Sequence, residues 1–375
     1  MKRIAVLVSN DLNHDQRVLK TCQTLENAGW SPQLVGREMP DSTPLNTAFC
    51  AQRLRLPFHA GAGFYASLQV AMLRALWRME VDAIWANDLD TLLPAFVVAR
   101  LRRVPLVYDS HEFFTEAAGL TGRPFQRNVW LALEGFLFPK LAAVITVNDA
   151  IADAYAKRYP HAAAGRPLVV RNMPRMRAHQ AAESAGWRER LGIPADAPFL
   201  ILQGAYLDVD RGVKQAVAAL AAHEFWYLVV VGAGVEWEWA QTQVGSFNGR
   251  LIVLPKMPFE ELRGLTAAAD VGLSLDRGVH GNYFMSLPNK LFDYIHAGVP
   301  VVASAMPEVA RVVHEWRIGQ VVDDATPEGI DEAVTRVLEV PKSEWYTRCR
   351  AAAAVLHWGN EEPHILQALE RAGAL

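Results

Sequence analysis

Residues 286–304, SLPNKLFDYIHAGVPVVAS, set a cation and a carboxylate three residues apart where a helix should begin. Pro288 and Asn289 suit the first turn, where proline's fixed φ and missing N–H cost nothing. Lys290 then falls among unpaired backbone N–H groups, which favour an anion over a cation. That placement is mildly unfavourable unless an anion binds, and a phosphate would supply one. Asp293 lies on the same helical side, three residues on. The competing reading is a solvated Lys–Asp pair contributing about 0.2–0.5 kcal/mol.

Four other stretches carry chemistry of this kind. In ILQGAYLDVDRGVKQAV, residues 201–217, a strand ends at Gly204 and a loop passes Asp208 and Asp210. Arg211 and Gly212 then open a helix containing Lys214. Glycine admits close backbone approach, while arginine and a helix N-terminus both favour phosphate. A polar turn with a solvated arginine fits equally well. VYDSHEFF, residues 107–114, places Asp109, His111 and Glu112 after a strand's carboxyl end, where α/β proteins gather site residues. NHDQRVLK, residues 13–20, offers Asp15 as a helix cap and Arg17 after the first strand, on the cleft side of the first domain. NDLD, residues 87–90, has the look of an acidic metal pair, but Asp90 is better placed to cap the following helix. No His/Cys/Asp/Glu set elsewhere has metal-ligand spacing, so no metal is expected.

These residues need a scaffold with many strand ends. Short apolar runs (IAVLVS, PQLVG, DAIWA, PLVYDS, AAVITVN) alternate with amphipathic segments in the first half. PFLILQG, WYLVVVGAG, RLIVLP, DVGLSL, VPVVAS and GQVV repeat the pattern from about residue 198. Continuous apolar strands belong to parallel sheets covered on both faces. The fold class is α/β: two Rossmann-like, doubly wound parallel-sheet domains facing a central cleft. The polar segment 171–186 reads as the linker. The expected division is 1–171, 172–355, and a terminal helical piece, 356–375, crossing back to the first domain. In VVVGAGVEWEW, Trp237 stands where a dinucleotide fingerprint needs its third glycine, which argues against a nicotinamide cofactor.

Bulk properties exclude several classes. The 375 residues are 51% hydrophobic and 21% charged, with formal net charge −3, so no basic field points to nucleic acid. Three scattered cysteines, Cys22, Cys50 and Cys349, fit neither a disulfide framework nor a metal site, and suit a reducing compartment. The apolar part of MKRIAVLVSN is too short for a signal core and reads as a buried strand, giving a cytoplasmic expectation. Residues 61–79, GAGFYASLQVAMLRALWRM, include Arg74 and Arg78 and form either a membrane-surface helix or a core-packed one.

The ordered set DQRVLK, VYDSHEFF, VITVND, VVRNMPR, ILQGAYLDVDRGV, LVVVGAG, SLPNKLFDYIHAGVPVV and HWGNEE resembles the family 4 glycosyltransferases, which have the GT-B fold. The resemblance spans nearly the whole chain and implies transfer from a nucleoside-diphosphate sugar, UDP- or GDP-linked, without a metal and with retention. It implies an acceptor bound by the first domain: a glycan, a lipid-linked glycan or a small molecule, with peripheral membrane contact. Carried over by position, Arg211 and Lys290 hold the diphosphate, Gly204 and Asn289 lie at the donor, and Asp293 replaces a ribose-binding Glu. His111 faces the donor sugar, and Arg17 and Glu112 are weaker acceptor-side candidates. Two positions depart from the pattern. Met285 stands where a sugar-contacting Glu is usual, leaving Asn282 and Tyr283 as polar substitutes, and Ala205 stands where relatives carry Arg. The alternatives are a sugar-nucleotide epimerase or phosphorylase on the same fold, or a non-catalytic partner protein.

Overall fold

The computed structural model describes residues 1–13, 15–40, 42–176, 186–278 and 281–374. Residues 177–185 of the expected linker lie outside the described residues. The chain divides into two compact units, Met1–Asn172 with Trp358–Leu375, and Met173–His357.

The first unit holds strands β1 (Lys2–Leu7), β2 (Trp30–Arg37), β3 (Cys50–Leu54), β4 (Ala83–Asn87), β5 (Leu106–Ser110), β6 (Ala143–Thr146) and β7 (Leu168–Val169). They form one parallel sheet in the order β3-β2-β1-β4-β5-β6-β7. Helices α1 (Gln16–Asn27), α2 (Gly61–Arg78), α3 (Leu89–Arg102), α4 (Pro124–Leu137) and α5 (Asp149–Arg158) connect them. Helix starts follow local chemistry: the Val18 N–H donates to Asp15 at α1, and the Ile151 N–H donates to Asn148 at α5. The expected strands are present. Two more, β3 and β7, complete the sheet at its edges.

The second unit holds α6 (Trp187–Arg190), β8 (Phe199–Gly204), α7 (Val213–Ala221), β9 (Tyr227–Gly232), α8 (Val235–Gln243), β10 (Leu251–Pro255) and α9 (Phe259–Ala268). It continues with β11 (Val271–Ser274), α10 (Gly281–Phe284), α11 (Asn289–Ala297), β12 (Val301–Ser304), α12 (Pro307–Trp316), β13 (Gly319–Val322), α13 (Pro327–Leu338) and α14 (Lys342–Ala353). The sheet order is β10-β9-β8-β11-β12-β13, all parallel. Alternation along each strand builds two cores at once. Phe199 and Ile201 face one with α11 and α12, while Leu200 and Leu202 face the other with α7 and α13. In both sheets the strand order reverses beside the first strand, between β1 and β4 and between β8 and β11. That switch point is where open α/β sheets leave a crevice at their carboxyl ends.

The last helix, α15 (Trp358–Arg371), packs with α1 in the first unit. Trp358 is fully buried, its Nε1–H donates to Thr24 Oγ1 at 3.0 Å, and the Lys20 ammonium lies 4.7 Å from its ring centroid. Glu361 accepts the Arg171 N–H at 2.8 Å, fixing the chain just before it leaves the first unit. No helix among the described residues is long and apolar enough to cross a membrane.

Removing so large a buried aromatic should open a cavity that the surroundings fill only in part. Trp358→Ala is expected to destabilise the first unit by about 3–5 kcal/mol. Amide exchange should quicken in β1 and α1 and stay unchanged in β9. Uniform quickening in both units would show that α15 does not act locally.

Candidate functional site

In the second unit the chain brings two of the expected cations to one carboxylate that the sequence reading did not name. Asp276, two residues past β11 and 3% exposed, receives Arg211 Nη1 at 2.9 Å on Oδ1 and Lys290 Nζ at 2.9 Å on Oδ2. Burial alone would raise its carboxyl, but the Lys290 and Arg211 charges outweigh that and hold it below the usual carboxylate range. Two cations against one anion leave the cluster with a net positive charge. Arg211 also lies over the Tyr283 ring at 4.5 Å, and its buried Nε–H has no acceptor among the described residues. The arrangement therefore keeps positive charge and donor capacity beyond what Asp276 takes up.

The neighbouring helix ends differ in what they offer. At α7 the Val213 N–H donates to Glu236 Oε2 at 3.2 Å, so a carboxylate of the chain already occupies the N-terminus expected to attract phosphate. At α8 the Val235 N–H meets Asp208 Oδ1 at 3.3 Å. The N-terminus of α11 follows Pro288 and has no side-chain cap; the exposed Asn289 and the buried Lys290 are its first two residues. At Gly204 a Cβ would meet Leu207 at 2.7 Å, so glycine there admits the chain's own loop.

The remaining second-unit residues cluster around these. Asp293 accepts from Gln203 Nε2 at 3.3 Å, and Gln203 Oε1 accepts from Thr266 Oγ1 at 2.7 Å. Gln203 is the last residue before Gly204 and fixes the aspartate to the end of β8. Asn282 is buried within α10, directly before Tyr283, and the Met285 N–H donates to the Gly281 carbonyl. Ala205 lies just beyond β8.

In the first unit a second charged cluster forms at the ends of β4 and β5. Arg17 is 3% exposed and gives Nε and Nη2 to the fully buried Asp109, at 3.2 and 2.7 Å, and Nη1 to the Val170 carbonyl at 2.6 Å. It thus meets internal acceptors rather than an open surface. His111 Nε2 lies 3.0 Å from Asn87 Oδ1 and 3.5 Å from Asp109 Oδ2, and Nδ1 lies 3.6 Å from Asp88 Oδ2. Glu112 is half-buried beside it, its carbonyl accepting from Ser110 Oγ at 2.7 Å.

The sequence reading of NDLD needs correction. Asp90 does not cap α3. The N-cap position is Asp88, and Asp90 lies inside the first turn, 6% exposed, with Oδ1 lacking a partner among the described residues. Asp88 itself has φ +60° and ψ 165°, a backbone conformation that side chains other than glycine rarely adopt. Its Oδ1 accepts the His111 N–H at 2.9 Å instead of an α3 amide. Burial raises the Asp90 carboxyl to about 7, with the charge of Asp88 adding to it. Among the described residues no group of three or more His, Cys, Asp and Glu side chains is arranged to hold a metal ion.

Burial would lower the His111 pKa, but Asp88 and Asp109 more than reverse this and raise it to about 9. A raised basic group stabilises the fold fully below its ordinary value near ~6.5 and loses that contribution as pH climbs through the raised one. The expected contribution is roughly 2–4 kcal/mol, present at pH 7 and lost near pH 10; towards pH 6 it weakens as well, because burial raises the Asp88 carboxyl to about 6 and its charge is lost there. An NMR titration of the His111 ring should show a midpoint near 9, moving down in Asp88→Asn. A wild-type midpoint below 7 would show that the carboxylates do not act on it.

Both units resemble known proteins. The profile of a glycosyl transferase 4-like domain matches residues 14–173, and that of glycosyl transferases group 1 matches residues 208–340. No curated protein matches by sequence. Among solved structures, sucrose-phosphate synthase from Thermosynechococcus elongatus superposes with TM-score 0.75 at 17% identity, covering 100% of both chains. HepE from Anabaena, solved with UDP-glucose, gives 0.74 at 15%, covering 99% of this chain and 100% of that one. Trehalose-6-phosphate synthase, studied for glycosyl transfer with retention, gives 0.73 at 12% and covers 99% of both chains. At these identities the structural likeness shows the fold, two Rossmann-like domains of the GT-B type. With a 4-like profile on its first unit and a group 1 profile on its second, the chain belongs to the glycosyltransferases of GT-B fold.

Proposed function

We propose that this glycosyltransferase moves a sugar from a nucleoside-diphosphate sugar to a glycan, lipid-linked or small-molecule acceptor, without a metal and with retention. The observation that carries the reading is the Arg211–Asp276–Lys290 cluster, with its surplus positive charge beside the uncapped start of α11. As the bond from the sugar to the diphosphate breaks, negative charge grows on the leaving oxygen. Fixed cations and helix N–H groups at that oxygen lower the barrier without reorganising. Arg211 and Lys290 are assigned to the diphosphate, and Asp293, held by Gln203, to the ribose hydroxyls. Asn282, Tyr283 and Asn289 complete the donor side, with Gly204 at the end of the strand beneath it. Relatives in this fold bind UDP-glucose, which supports a UDP-linked donor over a GDP-linked one.

His111 is assigned to the sugar as a positive charge rather than as a base. Both its ring nitrogens face acceptors of the chain, and it stays protonated through neutral pH. Retention without a protein base is consistent with that assignment and with the retaining trehalose-6-phosphate synthase neighbour. Glu112 is left to the acceptor side, and Arg17 to positioning Asp109.

Arg211→Ala and Lys290→Ala should each lower turnover by about 10²–10³-fold, the loss typical of removing one charge-stabilising donor. Each should also reduce the thermal shift given by the best nucleotide in a screen of UDP, GDP, ADP and TDP. If neither substitution weakens nucleoside-diphosphate binding, the site has been placed wrongly. Asp276→Asn should destabilise the free protein by about 3–5 kcal/mol, because two cations lose their counter-charge. The nucleoside diphosphate should restore part of that loss, visible as a larger thermal shift than in the wild type. Equal shifts in the two proteins would detach Asp276 from the donor site.

A further inference from the structure

Strand β11 has a buried aspartate at each end. Asp276 follows it at the proposed donor site, and Asp270 precedes it at the opposite end of the sheet, 6% exposed. Asp270 Oδ2 accepts the Phe199 N–H at 2.7 Å and Arg188 Nη2 at 2.5 Å, and Oδ1 faces the Lys342 ammonium. Two cations again answer one carboxylate, leaving positive charge in surplus. They are not used alike. Arg188 Nη1 also donates to the Pro194 and Ala197 carbonyls, so its guanidinium closes on the chain and offsets Asp270. Lys342 has 68% of its side chain exposed and is the first residue of α14, after Pro341, which gives the helix no side-chain cap. A lysine there lies at the positive end of the helix dipole, where a further anion is favoured.

A cavity of about 140 Å³ opens beside this lysine, and Asp270 and Lys342 are the only charged residues in its lining among the described residues. Tyr346 lies one turn beyond Lys342 on the same side of α14 and forms a wall. Its ring packs so closely on Gly298 that a Cβ there would meet it at 2.5 Å. The ends of α9 and α11 border the cavity as well, and an open helix C-terminus would repel an anion. Both ends are closed by backbone contacts. The Ala269 N–H donates to the Thr266 carbonyl, the Gly298 N–H to Ile295 and the Val299 N–H to Tyr294. What faces the cavity is therefore an ammonium in surplus beside an uncapped helix start. Backbone N–H groups at a helix start and a lysine acting as a point charge are the donors that hold phosphate.

We infer that this cavity is a second anion site, which takes the phosphate group of a small metabolite at Lys342 and the start of α14, apart from the donor. Open α/β sheets hold their substrates outside the carboxyl ends of the strands, and this cavity lies at the amino ends. A ligand here acts on the protein rather than in the reaction. Helix α11 has Lys290 in its first turn and ends at the cavity wall, so one element touches both places.

The experiment is calorimetric titration of the full chain with inorganic phosphate at constant ionic strength. The nucleoside diphosphate that gives the largest thermal shift is present at saturation, so that the donor site is filled. One phosphate should still bind per chain. Lys342→Gln should weaken that binding at least tenfold, and Ser343→Asp should do the same by setting a carboxylate at the helix start. Lys157→Gln, which removes an exposed lysine of the first unit, should change nothing. Both site variants should keep the wild-type thermal shift with the nucleotide, which shows an intact fold and donor site. Arg211→Ala with Lys290→Ala, titrated without nucleotide, should still bind phosphate, so failure of the donor reading leaves this test standing. The inference is overturned if no phosphate binds beside the nucleotide, if the two compete for one site, or if Lys342→Gln binds phosphate like the wild type.

Discussion

A carboxylate taken out of water must find its counter-charge inside the protein, because an unpaired buried ion costs more than most single contacts return. Each unit of this chain is built at its sheet end around one such group. Asp109 closes β5 and Asp276 follows β11, both nearly without solvent contact. Parallel strands place their carboxyl ends on one side of the sheet, so the cations that answer these acids arrive from the loops on that side. Arg17 comes from the start of α1, Arg211 from the loop after β8, and Lys290 from the start of α11.

The two solutions differ in how completely the cation is used. Arg17 has Nε, Nη1 and Nη2 all bound to acceptors of the chain, so the pair closes on itself and contributes rigidity. Arg211 gives one nitrogen to Asp276 and keeps another without an acceptor, and Lys290 shares the same carboxylate. A closed pair suits a frame, and an unsaturated cluster suits a site where a ligand bearing two or more negative charges replaces part of the internal contact. The buried carboxylate also keeps the cations in place, so the donor proposed above would not have to order them.

What the sequence makes legible is what depends on local chemistry. The sheets could be read because continuous apolar runs have no other home, and the need of Lys290 for an anion, which Asp276 meets inside the chain, because a cation at a helix start calls for one. Strand β3 was not legible: CAQRL is an edge strand with alternate residues exposed, and polar edges are how sheets avoid further pairing. Asp90 was misread because a cap depends on a one-residue boundary, and α3 starts at Leu89. Asp276 was not legible as a partner of Arg211 because 65 residues separate them and only the strand order joins them. The same limit explains α2, which turns Phe64, Leu68, Met72 and Leu76 into the core. Periodicity tells which residues share a face, but only packing tells which face is covered.

The strained backbone at Asp88 is the point where frame and site meet. A non-glycine residue at φ +60° with extended ψ costs about 1–3 kcal/mol and persists only if its surroundings over-determine it. Here they do. The Asp88 N–H donates to the Asp109 carbonyl, its carbonyl accepts from Thr91, and its carboxylate holds the His111 N–H. The effect is to turn a carboxylate away from α3, where it would have been an ordinary cap, and toward the imidazole. With Asp88 on one ring nitrogen and Asn87 and Asp109 on the other, His111 is fixed in orientation and kept protonated. A protonated histidine held this way has no lone pair to offer as a base, and in the proposed reading its contribution to the sugar is charge. The strain therefore maintains a cation at the end of β5, just as Asp276 maintains two at the end of β11.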